Sequence, residues 1–413
     1  MLPGSLQGFS LPPLEWHARV REWYQSMRET QPVAYDKEHE YWLVFRHSDV
    51  QHVLNEHTIF SSVKRDNGRA APPTILTMDP PRHGLMRALL NPTFSPQSVA
   101  RMVPRMAAMT EELLAKVMPQ GEMDLIADLA APLPTMVVGE LLGVPPEDSY
   151  ALNEWTDALI AATSREAGEE EIEQPKYTAA AATREIQAYF SKVIEDHRRH
   201  PRKDLISDLL AARVEGEPLT EFEVFGFSFT MLLAGHIMTT NLLGNAMLCF
   251  FENPGVIERL RREPALMPLA VEEVMRYLPP ERGVGAGSNT ELNSRIVMSD
   301  TEIGGHLIRK GEVVNVSLGS ANFDERVFHH AEQFDIHREA NRHLALGHGI
   351  HFCIGARLAR VQAKIVLSLL LERLIDIQIK PGTRLEQVRS YVLLGARQIP
   401  LTFKPGTLLP SAW

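Results

Sequence analysis

The stretch LGHGIHFCIG, residues 346–355, sets one cysteine, Cys353, among glycines and histidines. The only other cysteine, Cys249, lies in the apolar run NAMLCFF, where a small buried thiol is expected, so no disulfide framework is possible. Directly after Cys353 comes IGARLARVQAKIVLSLLLERL, whose apolar residues recur at helical spacing. The thiol is therefore expected at a helix N-terminus, where unpaired amides and the positive end of the dipole favour a thiolate. Gly347, Gly349 and Gly355 would let the backbone approach a flat ligand closely and turn amides toward the sulfur. A soft anionic sulfur held in this way suits iron. Three other chemistries fit a lone cysteine. Zinc is disfavoured, because structural zinc takes four Cys or His ligands and no CxxC partner exists. A nucleophile would use His351 as its base, but no oxyanion donor set or third orienting residue stands out. An inert buried thiol stays open on spacing alone.

The elements that must hold this loop read as mostly α with a minor β region. A helix over PLEWHARVREWYQSMRET, short strands in PVAYD and YWLVFR, and a helix from SDVQHVL make residues 1–60 a small sheet edged by helices. From 81 to 278 nearly everything reads helical. Within it, residues 220–253 begin with Thr and Glu suited to a cap and run about nine turns, apolar all round, so this helix belongs at the centre. Gly235 and its polar neighbours are expected to interrupt it halfway. Strand signals return at 283–320 and 380–405, and a last helix is expected over 353–376. With no internal repeat and no low-complexity linker, residues 1–413 read as a single domain.

Composition excludes some functions. Acidic residues outnumber basic ones by 52 to 42, which argues against nucleic acid as a partner. The N-terminus lacks a basic region followed by a long apolar run, and no window reaches about 18 uninterrupted apolar residues. The expectation is a cytoplasmic monomer that does not enter a membrane.

Residues 346–355 resemble the heme-binding loop of the cytochrome P-450 family, Phe-x-x-Gly-x-His/Arg-x-Cys-x-Gly: Gly349, His351, Cys353 and Gly355 match, and Leu346 stands where Phe is usual. Further matches follow in the family's order over almost the whole chain. EEVMR supplies Glu273 and Arg276 of its Glu-x-x-Arg pattern, on one helix face, and Arg338 in FDIHR resembles the third member of that buried structural ion-pair cluster. His83 and Arg87 in DPPRHGLMR resemble its His-x-x-x-Arg pair, whose cationic donors bind heme propionates, and Arg295 and His351 would complete the set. The segment from Arg276 to Arg295 is about nine residues longer than the family analogy, which makes Arg282 the fallback for Arg295.

The resemblance implies the family fold, a triangular helical prism with a long central helix over the heme and small β-sheets. It implies a soluble bacterial-type heme-thiolate monooxygenase with heme b as cofactor and Cys353 as its iron ligand. Ala234, Gly235, Leu346, Gly347 and Gly355 would be further cofactor contacts. The substrate would be a small hydrophobic molecule, hydroxylated or epoxidised. Electrons would come from a ferredoxin and ferredoxin reductase, with Arg101, Arg105, Arg342, Arg357 and Arg360 as a basic docking face. Pocket residues would be Ile75, Leu76, Met78, Ala234, Ile237, Met238, Thr239, Val284, Leu393 and Leu394. Here the pattern breaks: the family's Ala-Gly-x-acid-Thr-Thr reads AGHIMTT, with Ile237 at the acid and Met238 at the alcohol. Neither can carry the protons that oxygen activation needs. Thr239 comes one position later, about 100° around the helix, and His236 could titrate near neutrality. Cys353, Thr239, Met238 and Ile237 are the expected catalytic positions. Substrate hydroxyls and water could replace the pair, peroxide could be the oxidant, the reaction could need no oxygen activation, or the chain could be an engineered variant. A heme-binding protein without turnover is a further alternative.

Overall fold

The structure, a computed structural model, describes residues 3, 6, 8–63, 73–162, 178–283 and 293–406. α1 (Pro13–Thr30) buries Trp16, Val20, Tyr24 and Met27 at helical spacing, and β1 (Val33–Asp36), β2 (Tyr41–Val44), α2 (His47–Asn55) and β3 (Phe60–Ser61) follow. The helical part runs through α3 (Arg82–Leu90), α4 (Pro96–Val117), a short β4 (Glu122–Asp124), α5 (Pro132–Leu142), α6 (Ser149–Ala162), α7 (Ala179–Arg199) and α8 (Leu205–Ala211). The hairpin β5 (Arg213–Val214) and β6 (Glu217–Pro218) leads into α9 (Glu221–Glu252), α10 (Val256–Arg262) and α11 (Met267–Tyr277). The last third holds β7 (Ser294–Val297), β8 (Thr301–Ile303), β9 (His306–Ile308), β10 (Val313–Val316), α12 (Leu318–Ala321), α13 (Ala356–Arg373), β11 (Leu374–Ile379) and β12 (Pro400–Pro405).

Strands far apart in sequence meet in a five-stranded sheet of order β1-β2-β10-β7-β3, and β11-β12-β4 form a second sheet. Three sequence expectations are corrected. β4 and the β5–β6 hairpin interrupt the stretch read as helical. α13 ends at Arg373 and passes without a loop into β11. Between 391 and 399 only isolated bridges form, Leu393 with Glu281 and Ala396 with Gln387.

α9 is the axis of the molecule. Thr220 and Glu223 close a capping box at its start, satisfying two amides that would otherwise lack partners. Its first half packs with α6, α7 and α8 in one core, its second half with α4, α11 and α13 in another. Among the described residues it is the one helix long and apolar enough to cross a membrane by length and composition, and half of its most apolar window is buried in protein. Gly235 does not interrupt it. A Cβ there would clash with Val138 Cγ2 of α5, so the glycine admits the neighbouring helix.

Candidate active site

Cys353 lies between a single 3-10 turn, Gly349–His351, and Gly355, the N-cap of α13, so it stands two residues outside the helix. Its amide donates to Leu346 O at 2.9 Å, which closes the loop on itself. Gly347 and Gly349 take left-handed φ values of 73° and 68°, where a side chain is strained. A Cβ on Gly349 would meet Leu54 O at 2.6 Å, so this glycine seats the loop on α2 and does not serve ligand approach. Gly355 alone of the three faces open space. The Cys353 side chain is reachable by solvent, and its sulfur accepts backbone N–H groups of Gly355 and Ala356. Burial still pushes the thiol pKa up, outweighing those amides and the positive charges of Arg87 and Arg360. The helix end alone therefore does not make the thiolate, as the sequence suggested; a bound cation would have to complete the deprotonation.

Two ion-pair knots hold this loop. Glu273 and Arg276, both 0% exposed, pair through two bonds of 2.7 and 2.8 Å. Arg338 Nε adds bonds of 3.1 and 3.2 Å to the same carboxylate, and Asp335 N and Asn341 Nδ2 donate to it as well. The guanidinium of Arg276 also donates to Asn322 O, Ala331 O and Gln333 O, which fixes the segment leading to Cys353. The expected triad is present, with Asp335 and Asn341 as members that sequence reasoning missed. The second knot was missed entirely: Glu272 accepts Arg360 of α13 at 2.6 and 2.8 Å and lies 3.1 Å from His343 Nε2. Burial alone would raise the Glu272 pKa, but the bonds from Arg360 and His343 bring it down to about 2. The adjacent Glu272 in EEVMR was the available signal; its partners lie 71 and 88 residues away.

Beside the loop, α3 and β7 gather cationic groups. The His83 and His351 rings lie 4.4 Å apart, both Nε2 atoms are buried, and neither finds a hydrogen-bond partner in the protein. Burial, then the charges of Arg295, His83 and Arg87, push the His351 pKa down to about 3. Arg295, on β7, is buried with its own pKa lowered to about 10 by desolvation, Asp79 opposing the shift. His57 adds to the field on both histidines and had no local sequence signal. Arg87 also spans the loop, donating to Ile350 O and Phe352 O at 2.5 Å each. Arg282 is elsewhere: it donates to Leu6 O and Gly8 O and stacks on Phe9 and Trp16, so it is no substitute for Arg295. Unpartnered imidazole nitrogens beside guanidinium groups fit carboxylates, and a cysteine alone fits an iron whose other ligands come from a cofactor. Among the described residues no group of three or more His, Cys, Asp or Glu side chains could hold a metal ion.

On α9, Ala234 is exposed and Gly235, Ile237 and Met238 are half-buried, in the middle of a helix most of whose side chains are buried. These positions share one face and form an apolar arc. Thr239 is only 5% exposed and about 140° from Ala234, so it leaves that arc. His236 is buried on the far side, and desolvation lowers its pKa to about 4, which corrects the expectation of titration near neutrality. Ile75, Met78 and the half-buried Leu76 pack in the core shared by α6, α7 and the first half of α9. Leu393 and Leu394 are buried, Leu394 in the larger core, so neither offers side-chain surface to a ligand. Leu346, half-buried, packs on that same core. Val284 lies outside the described residues. Of the five arginines on the expected docking face, Arg105 pairs with Glu140 and Arg360 with Glu272; Arg101, Arg342 and Arg357 remain exposed.

Comparison with known proteins bears on the fold and the family. The family model for cytochrome P450 matches residues 172–388. The Bacillus subtilis (strain 168) protein YjiB, a cytochrome P450 by name, is 39% identical over 375 residues, covering 91% of this chain and 92% of its own. The cyclomarin C epoxidase CymV of Salinispora arenicola (strain CNS-205) is 36% identical over 93% of this chain and 96% of its own. The crystal structure of CYP109E1 from Bacillus megaterium in complex with testosterone superposes with a TM-score of 0.83, at 38% identity, over 94% of this chain and 98% of that one. A matched span of more than half the residues, carried by a common fold, places the chain: it belongs to the cytochrome P450 family of heme b monooxygenases.

Proposed function

We propose that Cys353 would ligate the heme iron and that His83, Arg87, Arg295 and His351 would hold the heme propionates. The observation that carries the reading is the pair of buried, unpartnered Nε2 atoms on His83 and His351 beside Arg295, next to a solvent-reachable Cys353. Bound there, the heme supplies oxygen activation and the thiolate favours O–O cleavage. The chain's own residues do the rest. Gly355 and Ala356 amides orient the sulfur, the Glu273 and Glu272 knots fix the loop's height, and Ala234, Ile237 and Met238 offer an apolar wall. The substrate is a small hydrophobic molecule, hydroxylated or epoxidised; the wall has no charge to bind a polar one. Thr239 reaches the reaction only through the helix backbone.

Electrons come from a separate ferredoxin and its reductase, with Arg101, Arg342 and Arg357 as the face for an acidic donor. The protein works as a monomer in the cytoplasm. The apolar arc on α9 also favours a second reading, in which peroxide is the oxygen source. Absorption spectroscopy tests the core of the proposal. Reduced protein with carbon monoxide should show the thiolate-type band, and Cys353→Ala should abolish it. A colourless wild-type protein, or an unchanged band in the variant, refutes it.

A further inference from the structure

His83 and Arg295 come from different elements, α3 and β7, and one anion joins them. Asp79, half-buried just before α3, accepts the Ser61 hydroxyl at 2.5 Å and the Ser62 amide at 3.0 Å, and its carbonyl accepts the His83 amide at 3.0 Å. Ser61 closes β3, which pairs with β7: it stands opposite Ile296, the residue after Arg295. The Ser61 hydroxyl in turn accepts the Val63 amide at 3.0 Å, so it is fixed from both sides. Burial lowers the pKa of both His83 and Arg295, and the Asp79 charge opposes the shift in each. The neighbouring anchor of α3, Arg82 on Glu223, is exposed at the arginine and screened by solvent.

A carboxylate is an odd choice for a plain tie at this place. It stands beside donors meant for two further carboxylates and repels them. An asparagine could bond Ser61 and Ser62 as well and would carry no charge. The charge therefore has a use of its own.

We infer that Asp79 is a positioning residue of the propionate clamp: its carboxylate locks the start of α3 to the sheet, setting His83 against Arg295, and its charge lowers the potential at which the cofactor accepts an electron. The inference rests on the heme-thiolate reading above. A negative charge beside the propionate donors favours ferric iron, which carries one more positive charge than ferrous. The step concerned is the transfer of one electron from the ferredoxin-type donor, in which no bond forms or breaks. Asp79 acts on it through the two donors and through its own field.

The test compares heme-loaded wild type with Asp79→Asn, Asp79→Glu and Asp79→Ala at about pH 8, where His83 and His351, both lowered by burial, are neutral. Midpoint potential is read by redox titration and heme loss by transfer to excess apomyoglobin. Asp79→Asn keeps the bonds and removes the charge. Its equilibrium constant for one-electron reduction should rise about threefold to tenfold, with no faster heme loss. Asp79→Glu keeps the charge and should hold that constant within about twofold of wild type. Asp79→Ala removes both, so it should match the asparagine potential and lose heme about tenfold faster. A wild-type potential in Asp79→Asn would show an idle charge, and wild-type heme loss in Asp79→Ala would show an idle tie; either result overturns the inference while the heme reading stands. A wild type without the thiolate-type band would refute the heme reading, and the inference with it.

Discussion

The cysteine loop and the middle of α9, the two regions that the proposed heme site would join, are built on opposite plans. The loop is held by long-range charge pairs: Glu273 with Arg276 and Arg338, Glu272 with Arg360 and His343. The α9 segment is held by apolar contact and by hydrogen bonds returned to its own backbone, from Thr230, Thr240 and Asn241. A metal ligand must not move, so its position is overdetermined. A face that meets hydrophobic molecules needs shape more than charge.

The largest expected effect lies on the loop side. Glu273→Ala would leave Arg276 buried and unpaired and Arg338 without its carboxylate, a loss of about 3–5 kcal/mol. Urea unfolding should show that loss, and the purified variant should carry little heme. A variant with near-normal heme content would mean that the knot does not set the loop. On the α9 side the matching test is steric. Gly235→Ala would drive a Cβ against Val138 Cγ2 and should cost about 1–3 kcal/mol despite alanine's better helix propensity. In a Val138→Ala background the same change should become neutral or slightly stabilising. No rescue there would mean that the glycine has a role other than packing.

The two regions also differ in how much of them the sequence disclosed. α1 runs from Pro13 to Thr30, as its periodicity predicts, and the Thr220–Glu223 cap of α9 is legible in four residues. Cys353, Glu273 and Arg276 stand in short motifs, where chemistry depends on local spacing. Arg338, Asp335 and Asn341 reach Glu273 across 62 to 68 residues, and the family pattern reveals only Arg338 among them. Thr239 follows the family's alcohol position by about 100° of helix, and the structure buries it off the arc of Ala234, Ile237 and Met238. β11 was hidden for a different reason: LIDIQI continues the apolar tail of α13, and only pairing with β12 ends the helix at Arg373.

A pH experiment sharpens the contrast at intermediate size. The Glu272 pKa is about 2 in the folded protein against about 4.5 when unfolded. A depressed carboxylate contributes stability above the unfolded value and loses it as pH falls through 4.5 toward 2. Arg360 is 36% exposed, so screening trims the contribution to about 1–2 kcal/mol. Glu272→Gln should therefore be less stable than wild type by that amount at pH 7, with the two curves converging near pH 2. A constant offset across that range would place the loss in packing and leave the charge pair without a role.

The smallest effect is the most selective. Thr240 is buried and gives its hydroxyl to His236 O, a carbonyl that the helix ladder also serves. Thr240→Val keeps the shape and β-branching and removes one donor without stranding a buried acceptor, so about 0.5–1 kcal/mol is the expected cost. Because Thr240 lies outside the arc of Ala234, Ile237 and Met238, electron coupling to product should not change. If this variant releases peroxide, the polar control of α9 operates through its backbone. The reaction face then has no side chain of its own that orders water, and the asymmetry between the two regions becomes complete.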